Sequence, residues 1–284
     1  MTRLPLSSLI LLASCTVENK LHSTMPPVPM GECDLLNPVS AEPRFRPVAV
    51  CSSSRQQLSP LRDTADLMGE QSYDPNGLDL VDYSWRILER PQGSASDLGL
   101  GEENRYGFIP DMAGSYLVEL VVTNERCVQS LPCQVELDAV PDADLWIELS
   151  WELPQDDLDL HLLQGDAPYE SEGDCYFGNC VGWDGGAALD WGEPGSSDDP
   201  RLDLDDIELT GPENINISEP AEGRFQVVVH DYPSSVRDEG NEATVRIHLA
   251  GELVYEESRM IHGEDAYVPF AEILWPEMEI NSLP

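Results

Sequence analysis

Two short segments of the chain place carboxylates at a spacing that can do chemistry. In Asp157-Leu158-Asp159-Leu160-His161, and again in Leu202-Asp203-Leu204-Asp205, polar and apolar residues alternate. Successive side chains of a β-strand point to opposite faces, so the leucines take one face and the acids, with His161, take the other. If the two strands neighbour each other, Asp157, Asp159, Asp203 and Asp205 converge beside Asp198, Asp199 and Asp206. Like charges held that close repel unless a cation compensates them, and Ca²⁺ accepts about six to eight such oxygens. The candidate metal set is therefore Asp157, Asp159, Asp198, Asp199, Asp203, Asp205 and Asp206, with Ca²⁺ as the cofactor. Asp184-Gly185-Gly186 is a further loop able to approach. The competing reading is that these acids are the solvated outer face of an acidic protein and only the leucines face a core. His161 and His230 read as strand residues with satisfied nitrogens, because hard oxygen sites do not select imidazole. Asp74 and Asn76 could also ligate, but turn formation already explains them.

The elements that must position these acids are strands. The 284 residues include 21 glycines and 23 prolines, and the apolar runs are short and bounded by Gly, Pro, Asp or Asn. Such spacing predicts an all-β chain of antiparallel sandwiches, and the length fits two domains. In the first, residues 44–139, strands are expected at 47–51, 81–88, 116–123 and 134–137. In the second, residues 140–278, they are expected at 145–153, 158–163, 215–217, 225–230, 243–249 and 266–274. A Gly/Asp-rich insertion at 165–200 carries Cys175, Tyr176, Cys180, Trp183 and Trp191. Its disulfide and tryptophans favour a folded loop.

Composition removes whole classes of activity. With 15 Lys+Arg against 54 Asp+Glu, the formal charge is −39. No continuous basic footprint can form, so nucleic acid is not a partner. Lys20 is the only lysine and lies in the N-terminal tail, which excludes a lysine Schiff base and a P-loop. The five histidines make no H-E-x-x-H pair, and neither a G-x-S-x-G elbow nor a G-x-G-x-x-G fingerprint occurs.

The first residues carry one cation at Arg3, an apolar run from Leu4 to Leu12, and then small residues. This is the pattern of a secretory signal. Its end, Leu12-Ala13-Ser14-Cys15, resembles the bacterial lipobox. The resemblance implies cleavage after residue 14, lipidation of Cys15, and a membrane partner reached through that lipid. Thr16, where an inner-membrane retention signal would carry Asp, implies the bacterial outer membrane or cell surface. Residues 15–43, with Met25-Pro-Pro-Val-Pro-Met30, form a tether without apolar periodicity. Six further cysteines (Cys33, Cys51, Cys127, Cys133, Cys175 and Cys180) point to three disulfides in an oxidising compartment. Spacing leaves the pairings open, although Cys175 and Cys180 could close locally.

The first unit resembles the PKD domain, an immunoglobulin-like sandwich of extracellular proteins. The residues that carry the likeness are Ser72-Tyr-Asp-Pro-Asn-Gly77, Asp82-Tyr-Ser-Trp85, Phe108-Ile-Pro-Asp-Met-Ala-Gly-Ser-Tyr116 and Leu117-Val-Glu-Leu-Val-Val-Thr-Asn124. The chain departs from the common pattern in having Trp85-Arg-Ile-Leu where Trp-Asp-Phe-Gly-Asp-Gly is often seen. The second unit, expected to be a jelly-roll-like sandwich, loosely resembles secreted bacterial domains of unknown function and the pre-peptidase C-terminal type. Asp157-Leu-Asp-Leu-His161, Pro200-Arg-Leu-Asp-Leu-Asp-Asp206, Gly211-Pro-Glu-Asn214 and Gly223-Arg-Phe-Gln-Val-Val-Val-His-Asp-Tyr232 carry that likeness.

Together these features lead to a cell-envelope lipoprotein acting as a non-catalytic binding and spacer module of adhesion type, calcium-stabilised, with a protein or glycan ligand. The alternative is a calcium-dependent carbohydrate-active enzyme or accessory domain. Paired carboxylates about 5–10 Å apart suffice for glycoside hydrolysis, and Tyr176, Trp183 and Trp191 could stack on a sugar. Against it, no third domain is present to form a cleft, and tryptophans more often anchor a loop.

Overall fold

In the computed structural model, the residues described are 46–284 except 103, 182–188, 196, 208 and 234–239. They fall within one compact unit, Pro38–Pro284, and among them there is no helix. The all-β expectation holds. Cys15, Cys33, Trp183 and the Asp184-Gly185-Gly186 loop lie outside the described residues.

Eight strands precede residue 140: β1 (Ser52–Ser53), β2 (Gln57–Leu58), β3 (Ala65–Met68), β4 (Leu80–Glu89), β5 (Leu98–Glu102), β6 (Arg105–Phe108), β7 (Gly114–Asn124) and β8 (Cys133–Ala139). They make two four-stranded sheets, ordered β1-β3-β6-β5 and β2-β8-β7-β4. Among the described strands of this unit, β2 and β8 pair in parallel and the others antiparallel. Alternation in β7 sends Tyr116, Val118, Leu120 and Val122 inward, where they meet Trp85 of one sheet and Ala65, Leu67 and Phe108 of the other in one core. Asp74-Pro75-Asn76-Gly77 is a turn, with Gly77 at φ 74° and the Asn76 N–H donated to Asp74 Oδ1 at 2.7 Å. Asn124 donates to the other oxygen of Asp74 at 2.7 Å. Burial pushes the Asp74 carboxyl up, but these hydrogen bonds outweigh it and hold the group below the usual range. Asp74 is thus committed to the turn.

Ten strands follow: β9 (Leu145–Trp151), β10 (Leu158–Gln164), β11 (Asp174–Cys175), β12 (Arg201–Leu204), β13 (Glu213–Ile217), β14 (Gly223–Asp231), β15 (Asn241–Leu249), β16 (Glu252–Ile261), β17 (Tyr267–Trp275) and β18 (Glu279–Ser282). They form two five-stranded sheets, ordered β11-β10-β14-β17-β18 and β12-β13-β9-β15-β16. A second core, separate from the first, fills the space between them with Leu158, Leu160, Val227 and Phe270 from one sheet and Ile147, Leu149, Ile215 and Val245 from the other. The last strand runs to Ser282, past the boundary expected at 278.

The two sandwiches meet through polar contacts. Glu148 Oε1 accepts the backbone N–H of Ala113 at 2.6 Å and the indole N–H of Trp146 at 2.8 Å. Arg62 reaches across to Asp142 at 3.0 Å and to Asn216 Oδ1 at 3.0 Å. Two disulfides are described, Cys51–Cys133 and Cys175–Cys180, and Cys127 is also disulfide-bonded. The first closes a long loop, which constrains the unfolded chain more than a short one does. The second is the local closure that its five-residue separation permits.

The long loop after β10 is packed. Trp191 is buried, stacks on Phe225 and donates its indole N–H to the Glu172 carbonyl at 2.9 Å. It anchors the loop and offers no face to a sugar. Tyr176 lies flat on the buried His161 ring at 5.1 Å.

Candidate metal centre

β10 presents Leu158, Leu160 and Leu162 to the core, so Asp159 and His161 point the other way. A solvated acidic face would leave them exposed, yet Asp159 and His161 are 3% and 0% exposed. Burial decides against solvated acids here, because an isolated buried carboxylate is costly unless it is paired, protonated or bound to a cation.

At Leu158–Leu160 the strand has β14 on one side only, since β11 pairs no further than Leu162. The Leu160 N–H is satisfied by a side chain instead: it donates to Glu213 Oε2 at 2.7 Å. Glu213 opens β13 in the opposite sheet. Period two sets it on the same face as Ile215 and Ile217, both in the core, so this glutamate is an inward-facing acid, 1% exposed. Asp205 follows directly on β12, next to β13. One ligand oxygen from each of Asp159, Asp205 and Glu213 lies within 4.8 Å of the other two. Two oxygens bonded to one Ca²⁺ at roughly 2.4 Å each can be at most about 4.8 Å apart, so a single ion can reach all three.

The electrostatics agree with the geometry. Asp157 is pushed up to about 7, first by burial and then by Asp159, Asp205, Asp156 and Asp206. Asp205 is raised by burial and by Asp159 and Asp206, against a lowering hydrogen bond with Glu213. Glu213 is raised well above the usual carboxylate range by burial and by Asp159 and Asp205. At this cluster, buried oxygens without a hydrogen-bond partner include Asp157 Oδ1, Asp159 Oδ2 and Glu213 Oε1. Buried polar atoms are ordinarily satisfied, and three orphaned acceptors among neighbouring acids are an arrangement that a cation would satisfy. All donors in the three-residue set are carboxylates, which suit a hard cation such as Ca²⁺ rather than zinc or copper.

Of the seven aspartates expected from the sequence, the structure brings Asp159 and Asp205 together with Glu213, and Asp157 lies close enough to feel both. Asp206 borders them, but its carboxylate also accepts the backbone N–H groups of Leu209 at 3.2 Å and Gly211 at 2.8 Å, closing the turn that leads into Glu213. The other three serve elsewhere. Asp198 accepts the Glu193 N–H at 2.9 Å and packs so tightly on Gly192, at φ 68°, that a Cβ there would come within 2.0 Å of its oxygen. Asp199 accepts the Trp191 N–H at 2.7 Å. Asp203 accepts from Asn216 Nδ2 at 2.9 Å and lies 3.8 and 3.7 Å from Arg62 and Arg201, at the junction between the sandwiches. Asp203 and Asp205 part because the pairing of β12 with β13 slips between Leu202 and Leu204. A bulge adds one residue and breaks the period-two face they were expected to share. Nor are β10 and β12 neighbours; they belong to opposite sheets, and Glu213 joins their acids across the sandwich edge.

Glu213 was missed in the sequence, although its spacing from Ile215 and Ile217 signals an acid on a core face. The histidines are only half satisfied. His161 Nδ1 pairs with Asp174 at 2.8 Å and its Nε2 has no partner; His230 Nε2 pairs with Asp265 at 3.1 Å.

No family model matches the chain, and no curated protein matches it. The two cavities described, of about 440 and 320 Å³, are lined by Arg62, Arg201 and Asp203 and by Gln92, Ser150 and Thr244 among others, and none of the three clustered acids lines either.

Proposed function

We propose that the chain is an exported, lipid-anchored envelope module of the bacterial outer membrane or cell surface, in which a PKD-like sandwich carries a calcium-binding second sandwich. Its role is binding and spacing, adhesion-like and without catalysis, toward a protein or glycan ligand. The observation that carries the calcium reading is the meeting of Asp159, Asp205 and Glu213 within 4.8 Å, with a buried oxygen of Glu213 left without a partner. The disulfides support an oxidising compartment, and the paired four-stranded sheets of the first sandwich are compatible with the PKD likeness. Two of the three acids are buried and none lines either described cavity, which favours a structural ion over a catalytic pair.

Equilibrium dialysis of the chain lacking residues 1–14 and its lipid, with Ca²⁺ at matched ionic strength, tests this function. One ion per chain is expected, and Asp159→Asn with Asp205→Asn should remove it, while Asp198→Asn should not. Uptake that survives the double substitution would place the ion elsewhere. Anchoring is tested separately. Cys15→Ser should move the protein from the detergent phase to the aqueous phase, and unchanged partitioning would contradict a lipid at that residue.

A further inference from the structure

Beyond the ligands themselves, we propose that His230 is a positioning residue of the metal centre, holding the Asp159 carboxylate toward the ion while Asp265 holds His230. The inference rests on the cation reading above. Asp159 and His230 sit directly opposite each other on β10 and β14. His230 Nδ1 is 3.6 Å from Asp159 Oδ2, and both atoms are buried without a hydrogen-bond partner. The other ring nitrogen, Nε2, is 3.1 Å from Asp265 Oδ1. Each nitrogen therefore faces one carboxylate, the inner acid belonging to the site and the outer one reaching solvent.

The ring has little freedom to turn away. Tyr267 stacks on it at 4.0 Å and 8°. His161 meets it edge-on at 5.6 Å and 79°, and Tyr232 at 6.1 Å and 77°. A carboxylate has two oxygens, so Asp159 can give one to an ion while the other faces Nδ1. That division orients the ligand before the ion arrives. Partners of this kind, one step outside the ligands, typically change metal affinity about 10–100-fold when removed.

Calorimetric titration of Ca²⁺ into the unlipidated chain separates the possibilities. His230→Phe keeps a flat ring against Tyr267 and removes both nitrogens, and its affinity is expected to fall about 10–100-fold. His230→Gln, which restores an N–H donor, should recover part of that loss, a rescue that a purely space-filling role would not produce. Asp265 has a side chain 67% exposed and stands at φ 66°, a conformation that glycine takes without strain, so Asp265→Gly removes the carboxylate with little loss of packing and should weaken binding several-fold. If His230→Phe folds and binds within twofold of the parent, His230 does not position the ligand. If it does not fold, Asp265→Gly decides the matter in the same way. A parent chain that takes up no calcium overturns the cation reading and this inference with it.

Discussion

Glu213→Gln should shift stability in opposite directions with and without calcium. Without calcium, Glu213 is a buried acid beside Asp159 and Asp205, held well above its usual range by burial and by those charges. Gln removes a group that must either bury its charge or take up a proton on folding, and it keeps an oxygen able to accept the Leu160 N–H that Glu213 now accepts at 2.7 Å. The ion-free protein should therefore melt higher than the parent. In calcium the order reverses, because the variant has lost a ligand. At one hundred times the dissociation constant, an ion that binds only the folded form adds about 2.7 kcal/mol, and the variant forgoes most of it. A variant that melts lower than the parent in chelator would mean that Glu213 stabilises the fold without any ion.

Acidification of the ion-free protein should raise its melting temperature between about pH 8 and pH 5. The sign follows from proton uptake. Asp157 has an ordinary value of 3.8 and a folded value of about 7. Between those values the folded chain holds a proton that the unfolded chain has released, so stability rises as pH falls and the penalty of the charged form is felt above about 7. Asp205 and Glu213, also raised, act in the same direction. His230 adds to it: burial lowers its value, but the neighbouring carboxylates of Asp159 and Asp265 outweigh that and leave it raised. A raised histidine contributes stability below its unfolded value and loses it as pH climbs through the folded one. Relief of general repulsion in a chain of charge −39 runs the same way, so the comparison is with Asp157→Asn in chelator. That variant should show a shallower slope across pH 5–8, and parallel slopes would remove Asp157 from the cluster. With saturating calcium the parent should lose the effect, because the ion keeps the carboxylates charged and acid then competes with it.

Much of this architecture is legible in the chain because alternation and burial agree. Tyr116, Val118, Leu120 and Val122 share a face by period two, and all four enter one core. Leu158 and Leu160 do so in the other. Strand β16 is harder to read: Glu252–Ile261 is an edge strand with exposed Leu253, Val254 and Met260, so its pattern has no clean inside. The acids were legible in type but not in destination. Asp159 follows its strand's alternation, whereas Asp203 and Asp205 are separated by a register slip that no local spacing announces. Asp198 and Asp199 satisfy loop N–H groups, a role that depends on where Trp191 and Glu193 fold back. Glu213 belongs to the site only because two sheets close over each other, a long-range fact that appears locally as nothing more than a glutamate two residues before Ile215.

The measurement that bears most directly on the central claim is the melting temperature of the unlipidated chain in millimolar Ca²⁺ against NaCl of matched ionic strength. Both salts screen the charge of −39, but only calcium can bridge Asp159, Asp205 and Glu213. The account predicts a rise in Ca²⁺ well beyond that in NaCl, lost in Asp205→Asn; equal rises in the two salts would contradict it.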